Sequence, residues 1–256
     1  MKKALVLLML ALALGCTPKQ EVIPVAAEFP NGSSVSFGTM PAAVANLNTR
    51  TIAAWVKIDG TSAGGHTVIA SNPGAQSDWY LSYFDTPNLT FFLKRATTNG
   101  TWTGTANLTV GTWYHVAVSY DRSSTANDPV IYLNGSSVGI SETSTPAGTA
   151  QDDSASTLYS GGLGTSTPLS TLSVADLRVY NRILTLAEIE DIRNSKSFCD
   201  NDYGLVFHAP FLGVAGGVSD GGTMAAANTV IDRIGGVVGT PAGSPIFRAD
   251  TILSCP

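Results

Sequence analysis

GTWYHVAVSYDRSSTANDPVIYLNGSSVG, residues 111–139, decides the fold. Two runs in it, 113–120 and 130–133, alternate apolar and polar side chains, the two-residue period of a strand with one buried face. A polar loop joins them. Asn134-Gly135 then turns the chain back into residues 136–140. A two-residue hairpin loop needs positive φ at both positions, and Asn followed by Gly tolerates it best. The module is antiparallel β.

The same signals recur outward from this stretch. Residues 33–37 alternate, and in 51–58 (TIAAWVKI) Ile52, Ala54, Val56 and Ile58 share one face. Residues 66–70 read as a short strand. Residues 78–84 and 89–94 make a hairpin across Asp85-Thr86-Pro87-Asn88, Asn99-Gly100 turns the chain into 101–106, and 172–180 closes the series. Short strands with turn signals about every 8–12 residues predict an all-β, two-sheet antiparallel sandwich. One short helix is expected near 185–195. Thr185 and Glu188 form a capping box, each side chain answering the other's backbone N–H, and Leu186, Ile189 and Ile192 follow on one face.

Composition narrows the class. Only 13% of the 256 residues are charged, about half the usual share, and Ser, Thr, Asn and Gly carry the polar surface. The hydrophobic share of 44% suffices for one sizeable core. Net charge is −5, with no basic cluster beyond Lys2-Lys3, which excludes the dense basic patch that nucleic acid requires. Those two lysines precede an apolar run of 11 residues, 4–14. That run is too short for a bilayer-spanning helix, which takes about 20 residues, and fits a signal peptide over residues 1–15. Leu12-Ala13-Leu14-Gly15-Cys16 resembles a bacterial lipobox. The resemblance implies cleavage before Cys16, acylation of its sulfur and a membrane anchor; Thr17 in place of Asp implies the outer membrane. Residues 16–30 read as a tether. In an oxidising compartment the remaining pair, Cys199 and Cys255, is expected to form a disulfide. It would close a loop of 57 residues and stabilise by roughly 4 kcal/mol in the chain-entropy model.

SVSFG (34–38), TIAAWVK (51–57), WYHVAVSYD with IYLNG (113–121, 131–135) and DLRVYNRILTLAEI (176–189) together resemble the laminin-G-like, concanavalin A-like lectin/glucanase jelly roll. The tail motifs GLVFHAPFLG (204–213) and VIDRIGGVVGTPAGSPIFRAD (230–250) resemble a segment that such domains carry before their first strand. Here it follows the helix. Either residues 200–256 complete the same sandwich by circular permutation, so that 31–256 is one domain, or they open a truncated second copy. Closeness of the sandwich termini favours the first.

The resemblance frames the chemistry. Glycoside hydrolases of this broad fold work with paired carboxylates. The five glutamates, Glu21, Glu28, Glu142, Glu188 and Glu190, include no strand pair, so a non-enzymatic module is expected. His115 is expected to be structural, as in the family. Family members often hold Ca²⁺ on rim loops, for which Asp78 is the best single candidate and Asp152-Asp153 a second location. Sugar rings stack on aromatics while acids and amides bond their hydroxyls. Trp102, Asp85, Trp79 and Tyr83 are the candidate ligand-binding residues. Trp102, just after a turn, is expected to be exposed, whereas Trp79 and Tyr83 share a strand face with Leu81 and fit the core. A second, non-core face is expected to gather Trp55, Tyr80, His115, Arg178 and Tyr180. The function implied is recognition of a glycan or a surface protein, with a structural envelope lipoprotein or a glycoside hydrolase as alternatives.

Overall fold

A computed structural model describes residues 26–60, 66–72, 77–84, 88–162, 171–194, 202–211, 220–225 and 230–248. Cys16, Cys199, Cys255 and Asp85 lie outside the described residues, and with them the lipidation and disulfide expectations. In chain order the elements are β1 (Ala26–Phe29), β2 (Ser34–Thr39), β3 (Thr49–Ile58), β4 (His66–Asn72), β5 (Trp79–Phe84), β6 (Asn88–Leu93), β7 (Gly100–Gly104) and β8 (Trp113–Asp121). There follow β9 (Val130–Leu133), β10 (Ser136–Ser137), β11 (Ile140–Ser144), β12 (Thr157–Gly161), β13 (Leu172–Tyr180), helix α1 (Leu186–Asn194), β14 (Leu205–Ala209), β15 (Thr240–Ala242) and β16 (Ile246–Arg248).

Two antiparallel sheets of eight strands face each other, which is the predicted all-β sandwich. The first runs β10-β9-β8-β3-β13-β1-β16, with β14 sharing the free edge of β13 beside β1. The second runs β11-β7-β6-β5-β4-β12-β2-β15. Asn134 and Gly135 take φ of 50° and 82°, as the hairpin reading requires. Between the sheets lie Ile52, Ala54, Val56 and Ile58 of β3, packed against Val35 and Phe37, Trp79 and Leu81, and Leu89, Phe91 and Leu93. Each large side chain so buried stabilises by about 1.5–3 kcal/mol.

One sequence expectation needs correction here. The segment 16–30, read as a tether, contains β1, whose Ala26, Ala27 and Phe29 are fully buried. Its alternation is too short to register alone; pairing with β13 and β16 makes it a strand. Residues 157–161, which the sequence reading leaves unassigned, form β12, which joins β4 to β2. Strands from the tail enter both sheets: β14 pairs β13, β15 pairs β2 and β16 pairs β1.

Helix α1 closes the outer face of the first sheet. Thr185 N donates to Glu188 Oε2 (2.8 Å) and Glu188 N to Thr185 Oγ1 (3.3 Å), the reciprocal cap read from sequence. Ile189 and Ile192 sit over Ala53, Ala117, Tyr132 and Tyr180; the two alanines let the helix approach the sheet. Leu186, expected on the same face, is instead exposed in the first turn.

Candidate functional site

The site is built on an irregularity in β13. Against β3, Ala175 pairs Trp55 and Arg178 pairs Ala53, so Asp176 and Leu177 together oppose one residue. This is a β-bulge, and Asp176 takes a φ of 49°. Strict alternation would send Asp176 and Leu177 to the wrong faces. The bulge keeps Leu177 in the core and turns Asp176 and Arg178 toward each other on the outer face. Arg178 Nε donates to Asp176 Oδ1 (2.9 Å), and His208 Nε2 of β14 lies 2.8 Å from the same oxygen. Arg178 Nη1 and the Tyr180 hydroxyl both donate to Asp202 Oδ2, at 2.9 and 2.8 Å. Asp232 accepts the backbone N–H groups of His208, Ile234 and Gly235 and so fixes the tail turn behind the network.

Burial pushes the Asp176 carboxyl up, but the His208 hydrogen bond and the Arg178 charge outweigh it and hold it below its ordinary value. Burial lowers Arg178, and the Asp176 charge more than offsets that, so the guanidinium is held charged. Burial also raises the Tyr180 phenol, against the pull of Arg178, and keeps it a hydrogen-bond donor.

Outside this network opens a cleft of about 300 Å³, lined by Arg178, Tyr180, Arg182, Leu184, Glu188, Asp191, Ile192, Asp202 and Tyr203. Tyr203 is 84% exposed. Arg182 braces it: the guanidinium lies 5.3 Å from the ring centroid, Nε donates to the Tyr203 carbonyl (2.8 Å) and Nη2 to Glu188 Oε1 (2.6 Å). The Arg182 hydrogen bond, with the Thr185 backbone N–H behind it, brings Glu188 down to about 2. Gly204 (φ 80°) lets the 202–204 turn close on this wall; a Cβ there would come within 2.9 Å of Asn181 Oδ1 and 3.0 Å of Arg182 Cδ. The cleft thus offers an aromatic plate, carboxylates, guanidinium donors and an apolar floor.

The residues singled out from sequence lie elsewhere. Trp102, expected to be exposed, is fully buried between Phe91 and Tyr120, and its Nε1 donates to Asp128 Oδ1 (2.8 Å). The Asn99-Gly100 turn leads directly into a strand paired on both edges, and the parity of Gly100, Trp102 and Gly104 points inward. Trp79 is core, with Nε1 donating to Asp153 Oδ2 (2.8 Å), and Tyr83 is buried beside His66; neither can offer its face to a sugar. Asp78 is buried. Its buried carboxylate accepts from Ser156 Oγ and lies 3.6 Å from Lys94 Nζ. Among the described residues no three His, Cys, Asp or Glu come together as a metal set. Asp153 is spent on Asn46 N and Trp79, and Asp152 on Asn46 and Ser154.

The expected non-core face is split. Trp55 and His115 meet edge to face at 5.5 Å on the first sheet. Burial pushes His115 down to about 4, with the Asp176 charge opposing, so it stays neutral near pH 7. Tyr80 belongs to the second sheet and stacks on Phe92 at 4.9 Å. Sequence reasoning reaches Arg178, Tyr180 and Glu188 but assigns them to packing and capping. It misses Arg182, Asp191, Asp202 and Tyr203, whose only usable signal is that the GLV strand of the tail pairs with β13.

The family model of the concanavalin A-like lectin/glucanases superfamily matches residues 30–190. The chain belongs to that superfamily. Its match ends inside α1, so Asp202, Tyr203 and the tail strands lie beyond it. Among solved superfamily-like folds, a candidate carbohydrate-binding protein from Bacteroides ovatus superposes with a TM-score of 0.58 at 17% identity, over 88% of this chain and 62% of its own. The chain therefore spans less than two thirds of that protein. A heptameric SAP-like pentraxin from Limulus polyphemus gives a TM-score of 0.49 at 17% identity, covering 69% of this chain and 84% of its own. A Trypanosoma rangeli sialidase gives 0.41 at 24% identity, covering 56% and 22%. At these identities the likeness is one of fold. No curated protein matches the sequence.

Proposed function

We propose that the chain is a non-catalytic glycan-recognition module and that the cleft beside α1 is its binding site. The observation that carries the reading is Tyr203, an aromatic ring left 84% exposed and braced by Arg182 over a cleft of about 300 Å³. That volume is at the lower end of small-ligand pockets. A sugar ring stacks its C–H face on such a plate while carboxylates and guanidiniums bond its hydroxyls. Superfamily membership and the fold likeness to a candidate carbohydrate-binding protein support the same reading.

Two of the cleft's acids support binding rather than hydrolysis. A glycosidase keeps one carboxyl protonated as general acid. Glu188 is held at about 2 by Arg182 and Thr185, and Asp202 accepts from Arg178 and Tyr180. The test is a glycan array followed by calorimetry on the best ligand. Tyr203→Ala should weaken binding about tenfold or more, as loss of an aromatic anchor does, with an unchanged Tm because the ring is outside the core. Equal affinity in the variant, or an array without a ligand, ends the proposal. Reducing-sugar release would revive the hydrolase alternative. The acyl anchor at Cys16 belongs to the same proposal: Cys16→Ser should move the chain from the membrane to the soluble fraction.

A further inference from the structure

Three arginines outside the cleft lining are buried in the sandwich. Arg50 of β3 is 1% exposed, and Arg95, after β6, and Arg122, after β8, are each 7% exposed. Two of them are joined directly, Arg95 Nη2 donating to Arg122 O (2.6 Å), and Arg122 N donates to Asn48 O, two residues before Arg50. Their acceptors are almost all neutral. Arg95 Nη1 reaches Gly148 O, Arg122 Nη1 reaches Gln151 O, Arg122 Nη2 reaches Asn46 Oδ1 at 3.5 Å, and Arg50 Nη2 reaches Leu47 O.

Carboxylates balance only part of this charge: one buried aspartate faces three guanidiniums. Asp153 is the buried one, and its oxygens are taken by Asn46 N (2.6 Å) and Trp79 Nε1 (2.8 Å). Arg50 Nη2 forms an ion pair with it at 3.8 Å, too long for a hydrogen bond. Asp152 is engaged by Asn46 Nδ2 and Ser154 N. Four guanidinium nitrogens sealed from solvent are left with no acceptor: Arg50 Nε and Nη1, Arg95 Nε and Arg122 Nε. Burial lowers both Arg50 and Arg122; Asp153 opposes it, while Arg122 lowers Arg50 further and Arg95 lowers Arg122 further. A buried donor without an acceptor costs free energy, and a buried cation without a counter-charge costs more. Trp79 covers one face of Arg50, 4.8 Å from its ring centroid, and repays only part of that.

We propose that Arg50, Arg95 and Arg122 hold a small inorganic anion of the chloride class in the interior of the sandwich. A monatomic anion accepts several N–H groups from any direction and supplies the missing charge. The orphaned nitrogens are closed to solvent, which favours an ion of that size over phosphate or an organic carboxylate. Its role is to tie together the loops that follow β6 and β8, the chain around Asn46 and the 148–153 segment.

The experiment is thermal unfolding of the purified full chain at fixed sodium concentration, with gluconate replaced stepwise by chloride. The expected result is a saturating rise in Tm of roughly 3–6 °C by about 200 mM chloride. Bromide should act alike, and bromide-soaked crystals should show an anomalous peak beside Arg50 and Arg122. Arg50→Met should abolish the anion dependence; if that variant does not fold, Arg122→Met should blunt it. The same Tm in chloride and gluconate, with no bromide peak, overturns the proposal.

Discussion

Removal of residues 200–256 should abolish cooperative folding of the sandwich. The tail supplies the strand that completes the edge of β13, the outer neighbour of β1 and the outer neighbour of β2. It also supplies core: Val206, Phe207, Phe211, Met224, Val230 and Phe247 are all buried. Phe207 meets Phe37 edge to face at 4.9 Å, and Phe211 meets Phe29 at 6.0 Å. At about 1.5–3 kcal/mol for each buried side chain, their loss removes about 9–18 kcal/mol. That matches or exceeds the roughly 5–15 kcal/mol by which a folded domain is stable. Truncation also strips cover from Val35, Phe37 and Phe29, so the shortened chain should bind a hydrophobic dye and lose its near-UV dichroism. A cooperative melt at the parent's Tm would show that the tail is an appendage.

Asp176→Ala is the point substitution expected to cost most at the site, about 3 kcal/mol or more. Breaking a buried ion pair from one side leaves the partner's charge and donors uncompensated. Asp176 is the acceptor shared by Arg178 Nε and His208 Nε2, all three being buried. Asp202, at 2.9 Å from Arg178 Nη1, keeps one end of the guanidinium satisfied and limits the loss. For a domain of this size the expected fall in Tm is roughly 6–12 °C. Asp176→Asn separates charge from geometry. Asn tolerates the φ of 49° and still accepts a hydrogen bond, so only the charge is lost and the effect should be about half. Urea and thermal melts of both variants check this. An alanine variant that melts with the parent would mean that the network is not coupled to the fold.

The two predictions also mark where reading the chain stops working. Hairpins, strand alternation and the helix cap are legible because each depends on neighbours two or three residues apart. The Asn134-Gly135 turn and the Thr185–Glu188 box form as expected. Trp102 fails for a related reason: a turn next to a tryptophan does not say which face of the coming strand is inward. That parity is set by pairing with β6 and β11. β1 fails because four residues carry too little period to stand out from a tether. The cleft fails more completely. Tyr203 and Asp202 have no local signal, and they matter only because Asn181 N reaches Gly204 O and brings their turn beside Arg182.

The sequence by itself determined the all-β sandwich, the superfamily resemblance and the position of helix α1. These follow from local periodicity and residue chemistry. Only the tertiary structure decided that Asp176 bulges out to hold Arg178 and His208, that the tail strands enter both sheets, and that an exposed tyrosine stands over a charged cleft. Such contacts join residues as far apart as Glu28 and Arg248. Their free energy comes from burial and charge pairing across the finished sandwich, which no window along the chain contains.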